Sequence, residues 1–125
     1  MTGALIARRA SKLAAAAPLS GGIGVAFADD HSPVPTLITW GGANDFAYEQ
    51  DFHKLAQNMV SDLDTRGHFM AVCEHDLEHK IPTGAWSWVF TFLWDHSLSM
   101  GGTSPYSTSG LPAGFPDYCS IYDAK

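Results

Sequence analysis

Residues 35–82 read PTLITWGGANDFAYEQDFHKLAQNMVSDLDTRGHFMAVCEHDLEHKIP, and the order of patterns inside them decides the fold. Pro35 to Trp40 is a β-branched, apolar run that stops at Gly41-Gly42, as a buried strand does before a tight turn. Asp45 lies just past that stop. From Asp51 to Arg66 the apolar residues Phe52, Leu55, Ala56, Met59 and Leu63 recur at helical spacing. Glu49 and Asp51 stand at the positive end of that helix, Arg66 at its negative end, and Gly67 is its stop. His68 to Cys73 reads as the next strand, and Glu74 to Pro82 as a loop that carries His75 and His79. Strand, helix, strand implies a parallel crossover, which puts both strand ends on one edge of the sheet. Asp45 and His79 then share that edge, where open α/β sheets build their sites.

The chain has 125 residues, enough for one domain that buries roughly two-thirds of its chain surface. Seven Lys and Arg against thirteen Asp and Glu give a net charge of -6, which argues against nucleic acid and anionic membrane surfaces as partners. No apolar run is long enough to span a bilayer. Two cysteines, Cys73 and Cys119, are too few for a disulfide scaffold and lack the spacing of a zinc module. Either they form one disulfide pinning the tail to the second core strand, or both remain reduced as small hydrophobes.

Outward from this core, the N-terminus supports two readings. Arg8, Arg9 and Lys12, then an apolar run ending in Ala26-Phe27-Ala28, imitate a secretory signal with a mature start at Asp29. The competing reading is a helix over Thr2 to about Lys12 and a small-residue strand over Leu13 to Leu19, closed by Ser20-Gly21-Gly22. Loop 23–34 has a surface composition, and His31 within it is expected to be solvated. Thr83 to His96 forms a further helix, with Trp86, Val89, Phe90, Leu93 and Trp94 as its apolar stripe and Trp88 and Phe92 off it. Residues 97–125 show no periodicity and read as an irregular tail on a domain formed by residues 1–96.

An acid after one strand and a histidine after the next is the order of the last two members of a Ser…Asp…His triad. Asp45 and His79 have the right types and placement. Glu74 and Asp76 compete as the acid and His75 as the base. A turn-forming Asp45 and a solvent-facing His79 are the non-catalytic readings of the same residues.

Met1 to Gly22, with its Ala-rich run and Pro18-Leu19-Ser20-Gly21 turn, resembles the segment that follows the Gly-x-Ser-x-Gly elbow in esterases of the polyhydroxybutyrate depolymerase and feruloyl esterase type. Trp40-Gly-Gly-Ala-Asn-Asp45 resembles that family's acid loop, and Cys73 to Pro82 its histidine loop ending in His-x-x-Pro. The likeness runs on through Phe92 to His96 and into Gly110 to Cys119. It implies the C-terminal part of an α/β-hydrolase: three parallel strands and flanking helices in three layers, incomplete at the N-terminus, with an open edge where earlier strands pair. It also implies a secreted serine esterase acting on polyester or hydroxycinnamoyl esters, with Asp45 and His79 as acid and base and no metal or organic cofactor. The nucleophile is absent, because neither Ser20-Gly-Gly nor Ser99-Met-Gly-Gly carries the elbow's leading glycine, so the chain by itself is expected to be inactive. Glu78 stands where the family has a small residue.

Two readings from other classes remain. His75-Asp-Leu-Glu-His79 spells the His-x-x-Glu-His zinc motif, which requires a helix, whereas a β-like run leads into it and Pro82 follows. A small secreted, non-catalytic binding module beginning at Asp29 would follow from the signal-peptide reading.

Overall fold

The computed structural model describes residues 1–123. In chain order its elements are α1 (Thr2–Arg9), β1 (Thr36–Trp40), β2 (Phe46–Ala47), β3 (Gln50–Asp51), α2 (Phe52–Asp64), β4 (Met70–Glu74), α3 (Ala85–Trp94), α4 (Tyr106–Ser109) and β5 (Cys119–Ile121). β1 and β4 pair in parallel, Thr36 opposite Met70 through Trp40 opposite Glu74, so the crossover through α2 brings both C-terminal strand ends to one edge. β1 alternates its side chains between two cores. Ile38 and Trp40 join Ile6, Ala10, Ala56, Met59 and Leu63 from the α1 and α2 side. Leu37 joins Ala71, Cys73, Trp88, Val89, Phe92 and Tyr106 from the α3 and α4 side. The result is a small α/β arrangement in three layers.

α2 forms as its pattern requires. The Asp51 side chain caps it by accepting from the Lys54 amide at 2.9 Å. At the other end the His68 amide returns to the Leu63 carbonyl across Gly67, whose φ of 71° only glycine adopts without strain.

The sheet differs from the sequence expectation on both sides. Residues 13–19 do run parallel to β1, with Ala16 donating to the Pro35 carbonyl at 2.9 Å and Thr39 donating to the Pro18 carbonyl at 3.1 Å. They form only two isolated bridges, because Pro18 has no N–H with which to complete a ladder. The third regular strand is instead β5, from the tail, antiparallel to β4 with Cys73 opposite Cys119. Those two cysteines form the disulfide, and closing a loop across 46 positions stabilises the fold by about 4 kcal/mol on chain-entropy grounds. The tail expected over residues 97–125, of which 124 and 125 lie outside the described residues, is therefore not wholly irregular: α4 and β5 belong to it, and Tyr106, Leu111 and Phe115 pack into the second core. His96 holds this tail to α3, donating from Nδ1 to the Phe92 carbonyl at 2.6 Å and accepting the Ser104 hydroxyl at Nε2 at 2.8 Å.

Two further expectations are corrected. α3 buries Ala85, Trp88, Val89 and Phe92, and exposes Trp86, Phe90 and Trp94 at 53%, 62% and 89%. Ala85, Trp88, Val89 and Phe92 also recur at helical spacing, so a helix apolar nearly all round carries no periodic cue to its buried face. His31, expected in solvent, is half-buried, with Nε2 2.7 Å from Nε2 of the buried His68 and the two rings stacked at 4.9 Å. The pair ties loop 23–34 to the turn that enters β4. Residues 1–28 are likewise structural in this fold, since Ile6, Ala7, Ala10 and Ala16 lie inside the core.

Burial lowers the His68 pKa to about 4, outweighing the Val34 carbonyl that favours the charged form, while His31 and Arg66 lower it further. An unfolded histidine titrates near 6.5. Between those two values the unfolded chain binds the extra proton, so stability must fall as pH drops from about 6.5 toward 4, with a slope approaching about 1.4 kcal/mol per pH unit. Urea denaturation across that window should show the slope, and His68→Gln should flatten it.

Candidate functional site

At the C-terminal end of β1 the chain turns through Gly41 and a short 3-10 segment, Gly42–Asn44, which carries Asp45 back beneath the strand end. Asp45 is fully buried. Its Oδ2 accepts the Gly41 amide at 2.7 Å and the Ser20 hydroxyl at 2.9 Å, and its Oδ1 meets Nδ1 of His79 at 2.8 Å. A buried carboxylate is expensive unless donors surround it, and here three converge from three chain segments. An ionised carboxylate only accepts, so Nδ1 of His79 carries the proton and Nε2 presents a lone pair. That nitrogen makes no hydrogen bond among the described residues, and the imidazole is partly exposed, at 28%.

Ring contacts hold the imidazole in place. Phe52, the first residue of α2, stacks on it at 4.2 Å, and Tyr48 meets it edge-on at 6.0 Å. His79, Ser20, Tyr48, Phe52, Leu19 and Ile81 line a cavity of about 230 Å³. It is small, mostly apolar, and has the His79 imidazole in its wall.

Backbone strain gathers around this pair. The non-glycine residues with positive φ among the described residues are Ser20 at 42°, Tyr48 at 50°, Glu49 at 62° and Glu78 at 58°. Each costs on the order of 1 kcal/mol and persists only where the surroundings over-determine it. Tyr48 and Glu49 are the central residues of the two-residue β2–β3 hairpin, a turn that ordinarily takes Asn-Gly. Glu78 occupies a left-handed position directly before His79, a backbone that glycine adopts with less strain. Opposite it, a side chain on Gly41 would run into the Glu78 carbonyl, so the acid loop and histidine loop interlock through a bare backbone.

The competing residues are placed elsewhere. His75 is 4% exposed and accepts the Leu77 amide at Nδ1, and its Nε2 is buried without a partner. Burial lowers its pKa, against Asp45 and Asp76, which raise it. Residues 75–79 form a bent loop and not a helix, so the His-x-x-Glu-His arrangement has no helical face, and among the described residues no group of three acids, histidines or cysteines is positioned for a metal. Glu74 reaches toward His53 at 3.7 Å, and Asp76 is exposed. Ser99 bonds Ser97 at 2.8 Å in a surface turn.

Sequence reasoning missed two contributors. Ser20 is a donor to the acid, and its position at the end of the run beside β1 was the cue, since that places it on the same sheet edge. Phe52 was read only as a core residue of α2. No protein-family model matches the chain, nor does any curated protein or solved structure.

Gly41→Ala should destabilise the fold by about 2 kcal/mol and displace the histidine loop, because backbone and not a flexible side chain stands in the way. Ser20→Ala, which removes one of three donors, should cost only about 1 kcal/mol. Chemical denaturation of both variants checks the ordering. Equal losses would show that the two loops do not interlock as described.

Proposed function

We propose that this chain supplies the acid and base of a serine carboxylic-ester hydrolase whose nucleophile lies N-terminal to Met1. The observation that carries the reading is the 2.8 Å bond from His79 Nδ1 to a fully buried Asp45, which leaves Nε2 free beside an apolar cavity. In such a site Nε2 takes the proton of the serine hydroxyl as its oxygen attacks the ester carbonyl carbon, then returns it to the departing alkoxide. Water repeats the sequence on the acyl-enzyme. Asp45 stays ionised throughout, holding the tautomer and stabilising the imidazolium. The chemistry draws on no metal or organic cofactor.

The α/β layering, the parallel β1–β4 pair and the disulfide agree with this assignment. The narrower reading, a part of an α/β-hydrolase of the polyhydroxybutyrate depolymerase or feruloyl esterase type, exported from the cell and acting on polyester or hydroxycinnamoyl esters, rests on sequence resemblance. Ser20 is not the nucleophile in this scheme, since its hydroxyl is committed to the acid and not to the base. In the described residues no helix is long and apolar enough to cross a membrane.

The test extends the chain by the reading frame directly upstream of Met1 and measures hydrolysis of p-nitrophenyl esters. A Gly-x-Ser-x-Gly within a few codons, with activity falling about 10³-fold or more in His79→Ala and Asp45→Asn, is the expected result. An upstream sequence without that elbow, or activity indifferent to both substitutions, would sink the reading.

A further inference from the structure

On the opposite side of the molecule from the acid and base, the C-terminal turn of α1 and the loop that follows Ala28 enclose a polar cavity of about 220 Å³. Its walls include Arg8, Arg9, Ser11, Lys12, Asp30 and His31. Three of the seven Lys and Arg of an acidic chain meet here. Among the described residues none of the three forms a salt bridge, and Asp30 is the one carboxylate in the wall. The helix dipole favours cations at this end, but it offers a fraction of one charge against three. We infer that the cavity is a binding site for a divalent oxyanion such as sulfate or phosphate, free or as the end group of a larger molecule.

His31 forms part of the cavity wall and is held by His68, Nε2 to Nε2 at 2.7 Å, while His68 Nδ1 accepts the Val34 amide at 3.2 Å and lies 2.9 Å from the Val34 carbonyl. Burial and Arg66 lower the His31 pKa, whereas the Ala7 carbonyl and Asp30 raise it. Arg66 sits over the Phe27 ring at 3.8 Å and is held apart from the cavity wall. The inference stands independently of the ester chemistry.

The experiment titrates the full chain with sulfate, whose charge is constant in the working range, at fixed ionic strength in chloride. Saturable binding at about millimolar sulfate is expected. The triple variant Arg8→Gln, Arg9→Gln, Lys12→Gln should weaken binding at least about tenfold, and Lys12→Glu alone should do so by charge reversal if the triple variant folds poorly. A parallel titration near pH 7.5 with phenyl phosphate separates the sources: affinity equal to that for sulfate marks a free anion, and tighter binding marks an end group. Absence of saturable binding, or binding indifferent to the cation variants, would overturn the inference.

Discussion

The hydrogen-bonded burial of the Asp45 carboxylate is the constraint on which the rest of the structure depends. A charge with no solvent exposure survives only if its donors are fixed, and each donor here comes from a different loop at the same sheet edge. Gly41 donates from the end of β1, Ser20 from the end of the run beside it, and His79 from the loop after β4. Satisfying one carboxylate therefore sets the relative heights of three parallel segments. The strained residues follow from that requirement, since Ser20 and Glu78 take left-handed backbones to bring a hydroxyl and an imidazole to the same side chain.

The two cores serve this edge differently. On the α1 and α2 side, Ala56, Met59 and Leu63 fix the helix whose first residue, Phe52, stacks on His79, so packing deep in the core orients the ring at the surface. On the other side, α3 and the tail close over β4. The disulfide in register with the β4–β5 ladder holds the strand from which the histidine loop departs. His96 and Ser104 then seat the tail on α3, with Tyr106 donating to Asp95 at 2.6 Å. Support from both sides holds the Asp45–His79 pair in one orientation.

Much of the central unit was legible because its periodicities are unambiguous. The β-branched, apolar run through Thr36–Trp40, the helical spacing through Phe52–Asp64 and the stop at Gly67 each have one physical reading, and together they bring Asp45 and His79 to the same edge. Legibility failed where local pattern carried too little information. α3 is apolar on both candidate faces, so only tertiary packing selects Trp88 and Phe92 over Trp86 and Phe90. β5 is a short strand that exists because Cys119 is tethered opposite Cys73, a long-range fact with no local signature. His31 was read from a polar loop, and its burial depends on meeting His68, 37 positions away. Ser20 sits in a turn whose composition points only to a turn, while its role depends on which strand that turn adjoins.

The most direct test of the account is the tautomeric state of His79, read by two-bond ¹H–¹⁵N correlation of the imidazole in the folded chain. The account requires a protonated Nδ1, a free imine-type Nε2 while the ring is neutral, and loss of that bias in Asp45→Ala, because the carboxylate at 2.8 Å is what selects the tautomer. A neutral ring protonated at Nε2, or a tautomer unchanged when Asp45 is removed, would contradict it.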